Sequence, residues 1–161
     1  MATENKNLSS YKLNEIPSAK GLKFGIVVAE WNETITESLF DGAENTLIEC
    51  GCEKKNILRY NVPGSFELAL GAQFLIESEK VDAVICLGSV IQGETKHFDY
   101  VCQTTASGIM SVGLKYNTPV IFGVLTDNIL QQAIDRSGGK HGNKGIESAI
   151  TAIKMVHLKK K

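Results

Sequence analysis

The sequence predicts an α/β fold, a three-layer α/β/α sandwich built on a four-stranded parallel sheet. Three observations predict it. Four short strand-like runs, at residues 24–28, 56–60, 83–87 and 120–125, are spread along the chain, and each is followed by a segment of helical period. The clearest runs are continuously apolar rather than alternating, as in strands covered on both faces of a parallel sheet. The chain has 161 residues and 17.5 kDa, and a chain near 150 residues buries roughly 70% of its unfolded surface, enough for one substantial core. The crossovers are expected to be right-handed. Strand order is not legible in the pattern.

Each element has its own signal. Residues 1–20 carry a weak alternation through Tyr11, Leu13 and Ile16 and form an N-terminal arm ahead of a single domain over 21–161. The arm reads either as a segment apart from the fold or as a strand added to the sheet of a neighbouring subunit. After the first strand, Thr34 opens a helix, with Glu37 three residues on in the relation of a capping box. Ile35, Leu39, Ala43, Leu47 and Cys50 share one face, and Gly51 ends it. Pro63-Gly64 turns the chain after the second strand, and Phe66, Leu70 and Phe74 at i, i+4, i+8 mark the second helix. Beyond the third strand, a polar loop over 92–98 leads into a long helix from near Asp99, with Cys102, Ala106, Ile109, Met110 and Gly113 along one side. Asn128 and Gln131 start a short helix after the fourth strand, and the glycine-rich 137–142 breaks it. The last helix carries Ile146, Ala149, Ile150, Ile153 and Val156 on one stripe. Its basic end, Lys159-Lys160-Lys161, lies where the helix dipole favours cations.

Composition narrows the function. Hydrophobic residues at 43% and charged residues at 22% argue against a disordered chain. Seventeen basic against eighteen acidic residues, a net charge of −1 and a pI of 6.3 offer nothing that suits nucleic acid. No apolar run approaches the ~20 residues that cross a bilayer. The polar first ten residues lack the apolar stretch of an export signal, so a cytoplasmic location is expected, with no membrane partner. Cys50, Cys52, Cys86 and Cys102 are then expected as thiols. Cys86 sits in an apolar run, and Cys50-Gly-Cys52 lacks the second pair that a zinc site needs, so no metal site is expected.

In an open parallel sheet, ligands bind beyond the carboxyl ends of the strands. That rule selects residues 29–32, 63–67, 89–97 and 122–127. In the third of these, Gly93 allows close backbone approach, Thr95 offers a hydroxyl, and N–H groups ahead of a helix suit an anion such as phosphate. Glu94 fits that reading only if its backbone, not its carboxylate, faces the anion. His97 follows in the same loop, and histidine both gives and takes protons near neutral pH, so it reads as a general acid–base as well as an ordinary loop residue. His141 and His157 read as surface residues. Trp31, the only tryptophan, follows the first strand directly; with Phe66 and Phe122 it either packs at the rim or stacks on a planar heterocycle. Arg136 reads as a solvated cation or a bidentate phosphate clamp. Lys144, in the first turn of the last helix, opposes the dipole there and suits a nearby anion. Dinucleotide, Walker, nucleophile-elbow and His-Glu-x-x-His motifs are absent, which weighs against those chemistries.

Five blocks then carry a resemblance: Gly25-Ile-Val-Val-Ala-Glu-Trp-Asn32, Val62-Pro-Gly-Ser-Phe-Glu67, the stretch from Gly88 to Val101, Pro119-Val-Ile-Phe-Gly-Val-Leu-Thr126 and Gly142-Asn-Lys-Gly145. In this order and spacing, from about Gly21 to Leu158, the chain resembles the 6,7-dimethyl-8-ribityllumazine synthases of riboflavin biosynthesis. The resemblance implies a flavodoxin-like sheet and a transferase without a cofactor. The reaction implied is condensation of 5-amino-6-(D-ribitylamino)uracil with 3,4-dihydroxy-2-butanone 4-phosphate, giving the lumazine, phosphate and water. By position, Trp31 would stack on the pyrimidine, and Ser65, Phe66 and Glu67 would hold the ribityl chain and ring edge. Ser89, Val90 and Ile91 would line the uracil pocket, and Phe122 would complete it from a neighbouring subunit. Glu94 and Thr95 would receive the phosphate opposite Arg136, and His97 would transfer protons. Asn32, Lys144 and Glu147 would make secondary contacts. Gln92 departs from a site that is often basic in the family. The resemblance also implies a homopentamer, an icosahedral 60-mer in some members, and riboflavin synthase as a partner; the short 138–142 segment is similar to that of shell-forming members. Two rivals share the scaffold: a flavodoxin-like FMN-binding electron carrier, and a shell-forming protein without activity.

Overall fold

Asn7 and residues 9–160 are described by the computed structural model. Strands β1 (Phe24–Ala29), β2 (Ile57–Val62), β3 (Ala83–Ile91) and β4 (Val120–Asp127) pair in parallel in the order β2-β1-β3-β4. Phe24 stands opposite both Ile57 and Ala83, and Ile91 stands opposite Asp127, so β3 and β4 run on past the end of β1. That offset opens a crevice at the carboxyl ends of β1 and β2. Helices α1 (Glu33–Glu49), α2 (Leu68–Ser78), α3 (His97–Tyr116), α4 (Leu130–Arg136) and α5 (Lys144–Lys159) connect and cover the strands.

Successive strand side chains point to opposite faces, and this divides the core in two. Ile26, Val28, Ile85 and Leu87 pack with Leu39 and Leu47 of α1, Ala133 of α4 and Ile153 of α5. Val27, Val84 and Cys86 pack on the other face with Leu68 and Leu75 of α2 and Ile109 of α3. The predicted three-layer α/β/α sandwich is the observed one.

Several local expectations need correction. The capping box does not form: α1 starts at Glu33 behind Asn32, which has φ 63° and makes no side-chain cap bond. Glu37 pairs instead with Arg59 of β2, whose guanidinium lies 4.4 Å from the centre of the Phe40 ring. α3 starts at His97, ahead of the expected Asp99, so His97 belongs to the helix. Phe66, Leu70 and Phe74 mark the right region but not the buried face. α2 buries Leu68, Gly71, Ala72 and Leu75, and leaves the aromatic stripe exposed. On α3 the core side is Thr105, Ile109 and Val112, while Met110 is exposed. The glycine-rich break is an antiparallel hairpin of β5 (Ser137–Gly139) and β6 (Gly142–Asn143).

Among the described residues of the arm there is one 3-10 turn, Leu13–Glu15, and no strand. It is tied down where the Tyr11 hydroxyl donates to Glu49 and where His157 Nε2 lies 2.8 Å from the Ser18 carbonyl, so His157 is half-buried rather than fully exposed. The remainder of the predicted arm, Met1 to Lys6 and Leu8, lies outside the described residues. The four cysteines are free, with Cys50, Cys52 and Cys86 buried. Burial pushes the Cys52 thiol up to about 11, which suits a packing role. No helix among the described residues is long and apolar enough to cross a membrane.

Candidate active site

Three strand ends build one cleft of about 670 Å³. After β1 the chain stays beside β2, with Glu30 N–H donating to the Val62 carbonyl (2.8 Å) and Trp31 N–H to that of Pro63 (3.2 Å). This sets Trp31 at the cleft rim with 74% of its surface exposed. Such exposure of an indole is the signature of a surface that awaits a ligand or partner. Asn32 follows in the left-handed conformation, and its Nδ2 donates to the Ser89 carbonyl at 2.9 Å, tying the β1 loop to β3.

The second wall is the turn Ser65–Glu67. Thr105 Oγ1 of α3 donates to the Ser65 carbonyl at 3.1 Å and holds this turn down. The fit is close at Gly88: a Cβ there would lie 2.6 Å from Ser65 Oγ and 3.0 Å from Leu68 Cδ1, so a side chain would force Ser65 and Leu68 to shift. Phe66 and Glu67 thereby face the cleft beside Gly64. The third wall is Ser89, Val90 and Ile91 at the end of β3. Ser89 Oγ is buried and has no hydrogen-bond partner among the described residues.

The loop after β3 passes Gly93 and Thr95 and enters α3 at His97, whose backbone N–H donates to Thr95 Oγ1 at 3.4 Å. The imidazole therefore stands at the cleft mouth, at the N-terminus of a 20-residue helix whose first N–H groups and dipole favour an anion. Phe98 and Val101 complete the wall. Neither was singled out as a site residue; placing the helix start at His97 puts residues 97, 98 and 101 on one face, a relation hidden by a start at Asp99.

Five predicted site residues lie elsewhere. Glu94 is exposed in the loop and is not on the cleft wall, in keeping with a backbone role. Phe122, Lys144 and Glu147 share a second groove of about 390 Å³ between α3, β4 and α5, where Lys144 Nζ meets Glu147 Oε2 at 2.9 Å. Arg136, at the end of α4, has its Nε 3.7 Å from Asp127 Oδ1. The chain thus carries two separate sets of groups. One offers aromatic faces, polar edges, an imidazole and a helix N-terminus; the other offers an aromatic ring and two cations. The first set can hold a planar polar heterocycle and move a proton. The second brings cations, each beside a carboxylate, that can counter the charge of an anion.

A family profile described as 6,7-dimethyl-8-ribityllumazine synthase matches residues 21–160. Proteins named 6,7-dimethyl-8-ribityllumazine synthase are similar over almost the whole chain. That of Cytophaga hutchinsonii is 61% identical, over 97% of this chain and 98% of its own length. That of Flavobacterium johnsoniae is 58% identical, over 99% of this chain and 84% of its own. That of Porphyromonas gingivalis is 50% identical, over 99% of both.

Proposed function

The chain belongs to the 6,7-dimethyl-8-ribityllumazine synthase family, and from that premise we propose how its two sets of groups carry out the family's reaction. The enzyme condenses 5-amino-6-(D-ribitylamino)uracil with 3,4-dihydroxy-2-butanone 4-phosphate to give the lumazine, phosphate and water, the penultimate step of riboflavin biosynthesis. Trp31 stacks on the pyrimidine, and Ser65, Phe66, Glu67, Ser89, Val90 and Ile91 line its ring and ribityl chain, with Asn32 holding the rim in place. The phosphate sits at the Glu94–Thr95 backbone and the start of α3. His97, beside both, moves protons as the amine adds to the ketone, phosphate leaves and the ring closes. Holding the two reactants together supplies several kcal/mol of the rate enhancement, and a positioned acid–base contributes about 10²–10⁴-fold.

The observation that carries this reading is the convergence of residues from three distant segments, around 31, 66 and 90–97, on one cleft. A coupled assay with both substrates, followed by lumazine fluorescence, tests it. An FMN carrier would instead bind FMN tightly and bleach on reduction, and an inactive shell protein would give no lumazine.

The site is completed by a second copy. Phe122, Arg136, Lys144 and Glu147 lie outside the cleft of their own chain, on or near the β4 edge. The cleft side presents the exposed stripe of Phe66, Leu70 and Phe74. On the β4 edge, Met110, Val120, Ile121 and Met155 line an apolar groove between α3 and α5. Two different apolar surfaces suit a head-to-tail contact, which closes into a ring where the rotation between copies allows it; the homopentamer is such a ring. The tight β5–β6 hairpin carries no insertion, which supports packing of pentamers into an icosahedral shell able to take riboflavin synthase as a partner. The arm adding a strand to a neighbour and a cytoplasmic location belong to the same reading. Native mass spectrometry resolves the assembly, and a pentamer alone removes the shell.

Sharing the site has a direct test. Assayed with the phosphorylated substrate well below its KM, the His97→Ala chain is expected to be nearly inactive and the Arg136→Gln chain to lose most of its activity. Co-expressed at equal levels, they are expected to regain activity, because about a quarter of the head-to-tail contacts then join an intact His97 to an intact Arg136. Absence of recovery in verified mixed assemblies would mean that each chain uses its own arginine. Arg136→Gln is also expected to raise KM for the phosphorylated substrate selectively, by about tenfold or more, as for loss of a charge-assisted clamp.

A further inference from the structure

Resting on the phosphate clamp assigned above to Arg136, we propose that Asp127 tempers that clamp, holding the affinity for anions low enough for phosphate to leave. Asp127 is the last residue of β4 and only 5% exposed. Its carbonyl accepts from Gln92 N–H at 2.9 Å, which anchors the strand end that carries it. Its Oδ1 lies 3.7 Å from Arg136 Nε, beyond hydrogen-bond length, and its buried Oδ2 has no hydrogen-bond partner among the described residues. The carboxylate therefore counters the charge of the guanidinium without occupying its donors, which stay available to an anion. Asp127 is a positioning and tuning group here, acting through Arg136.

No other charge intervenes among the described residues. Asp135, on the same helix as Arg136, faces Gln131 and Lys140. Lys144, at the start of α5, is paired with Glu147, and Ile91 and Gln92 of the adjoining strand end bring none. Burial pushes the Asp127 carboxyl above the usual carboxylate range, and Arg136 opposes the shift. An anion gripped by Arg136 adds a like charge next to Asp127 and pushes it further up, so phosphate binding is coupled to proton uptake by this carboxyl.

The test is titration calorimetry of the assembled protein with inorganic phosphate between pH 5 and 8, in pairs of buffers that differ in ionisation heat. At pH 7.5, Asp127→Asn is expected to bind phosphate about three- to tenfold more tightly than the unaltered chain, since one nearby negative charge is gone. The gap narrows as pH falls and Asp127 takes up its proton, and the unaltered chain takes up more proton on binding than the variant does. Equal or weaker binding by the variant at every pH overturns the proposal. If that variant does not fold, Asp127→Ser takes its place, and equal or weaker phosphate binding by it at pH 7.5 overturns the proposal. Arg136→Gln separates the two levels. If its phosphate affinity matches that of the unaltered chain, the clamp itself is wrong. If it loses affinity while Asp127→Asn gains none, only the tempering role fails.

Discussion

His97→Ala is expected to lower kcat by about 10²–10⁴-fold, the usual contribution of one positioned acid–base, while leaving KM for both substrates within a few fold. The structure separates these effects. The imidazole is exposed at the cleft mouth and makes no side-chain hydrogen bond among the described residues, while the backbone N–H of His97 donates to Thr95 Oγ1. Truncation therefore leaves no cavity and no orphaned buried partner, and the cost in stability stays within about 0.5 kcal/mol. The groups proposed to hold the substrates, Trp31, Phe66, Ser89 and the start of α3, line the cleft without support from the imidazole and stay in place. Initial rates by lumazine fluorescence, with a thermal melt beside them, check the prediction. Partial recovery on adding imidazole would tie the loss to proton transfer. An unchanged kcat would remove His97 from the chemistry and leave it as a rim residue.

What the sequence made legible follows from what each pattern reports. Apolar runs such as that from Ala83 to Leu87 read correctly as strands because burial on both faces leaves no room for polar residues. The strand-end rule located the cleft because parallel strands place all their carboxyl ends on one side of the sheet. Period, by contrast, does not say which stripe of a helix is buried. Phe66, Leu70 and Phe74 look like core and are exposed, since α2 turns its small residues Gly71 and Ala72 to the sheet. In the assembly proposed above the stripe meets another copy, and the period of a sequence does not tell such a surface from a core face. Phe122, Lys144 and Glu147 likewise line a groove apart from the cleft, and nothing in their spacing along the chain separates them from the residues that share the cleft. Asp127 falls within the selected 122–127 segment but receives no role there, because at the end of an apolar strand an aspartate reads as the first turn residue. Only its burial, and the arginine beside it, distinguish it.

Gly145→Ala is expected to be the most damaging single methyl in the domain. Gly145 lies in the first turn of α5 where that helix crosses α1, and a Cβ there would stand 1.9 Å from the Leu39 carbonyl oxygen and 2.8 Å from the carbonyl carbon. The obstacle is backbone inside α1, so no rotamer change relieves it. Neither can α5 shift away freely. Asn143 caps it by accepting from Gly145 N–H at 2.8 Å, and the same side chain donates to the Ser38 carbonyl at 2.8 Å, locking the two helices together. Separating them disturbs the larger of the two core layers, which holds Leu39, Leu47 and Ile153. Overpacking of this kind costs about 3 kcal/mol, which for a chain of this length lowers the melting temperature by roughly 10 °C. Activity should fall with it, because Lys144 and Glu147 ride on the displaced turn. Gly93→Ala is the control: a Cβ there meets nothing within 4 Å, so its melting temperature should be unchanged. A Gly145→Ala chain that melts like the Gly93→Ala chain would mean that the α1–α5 crossing is looser than 1.9 Å allows.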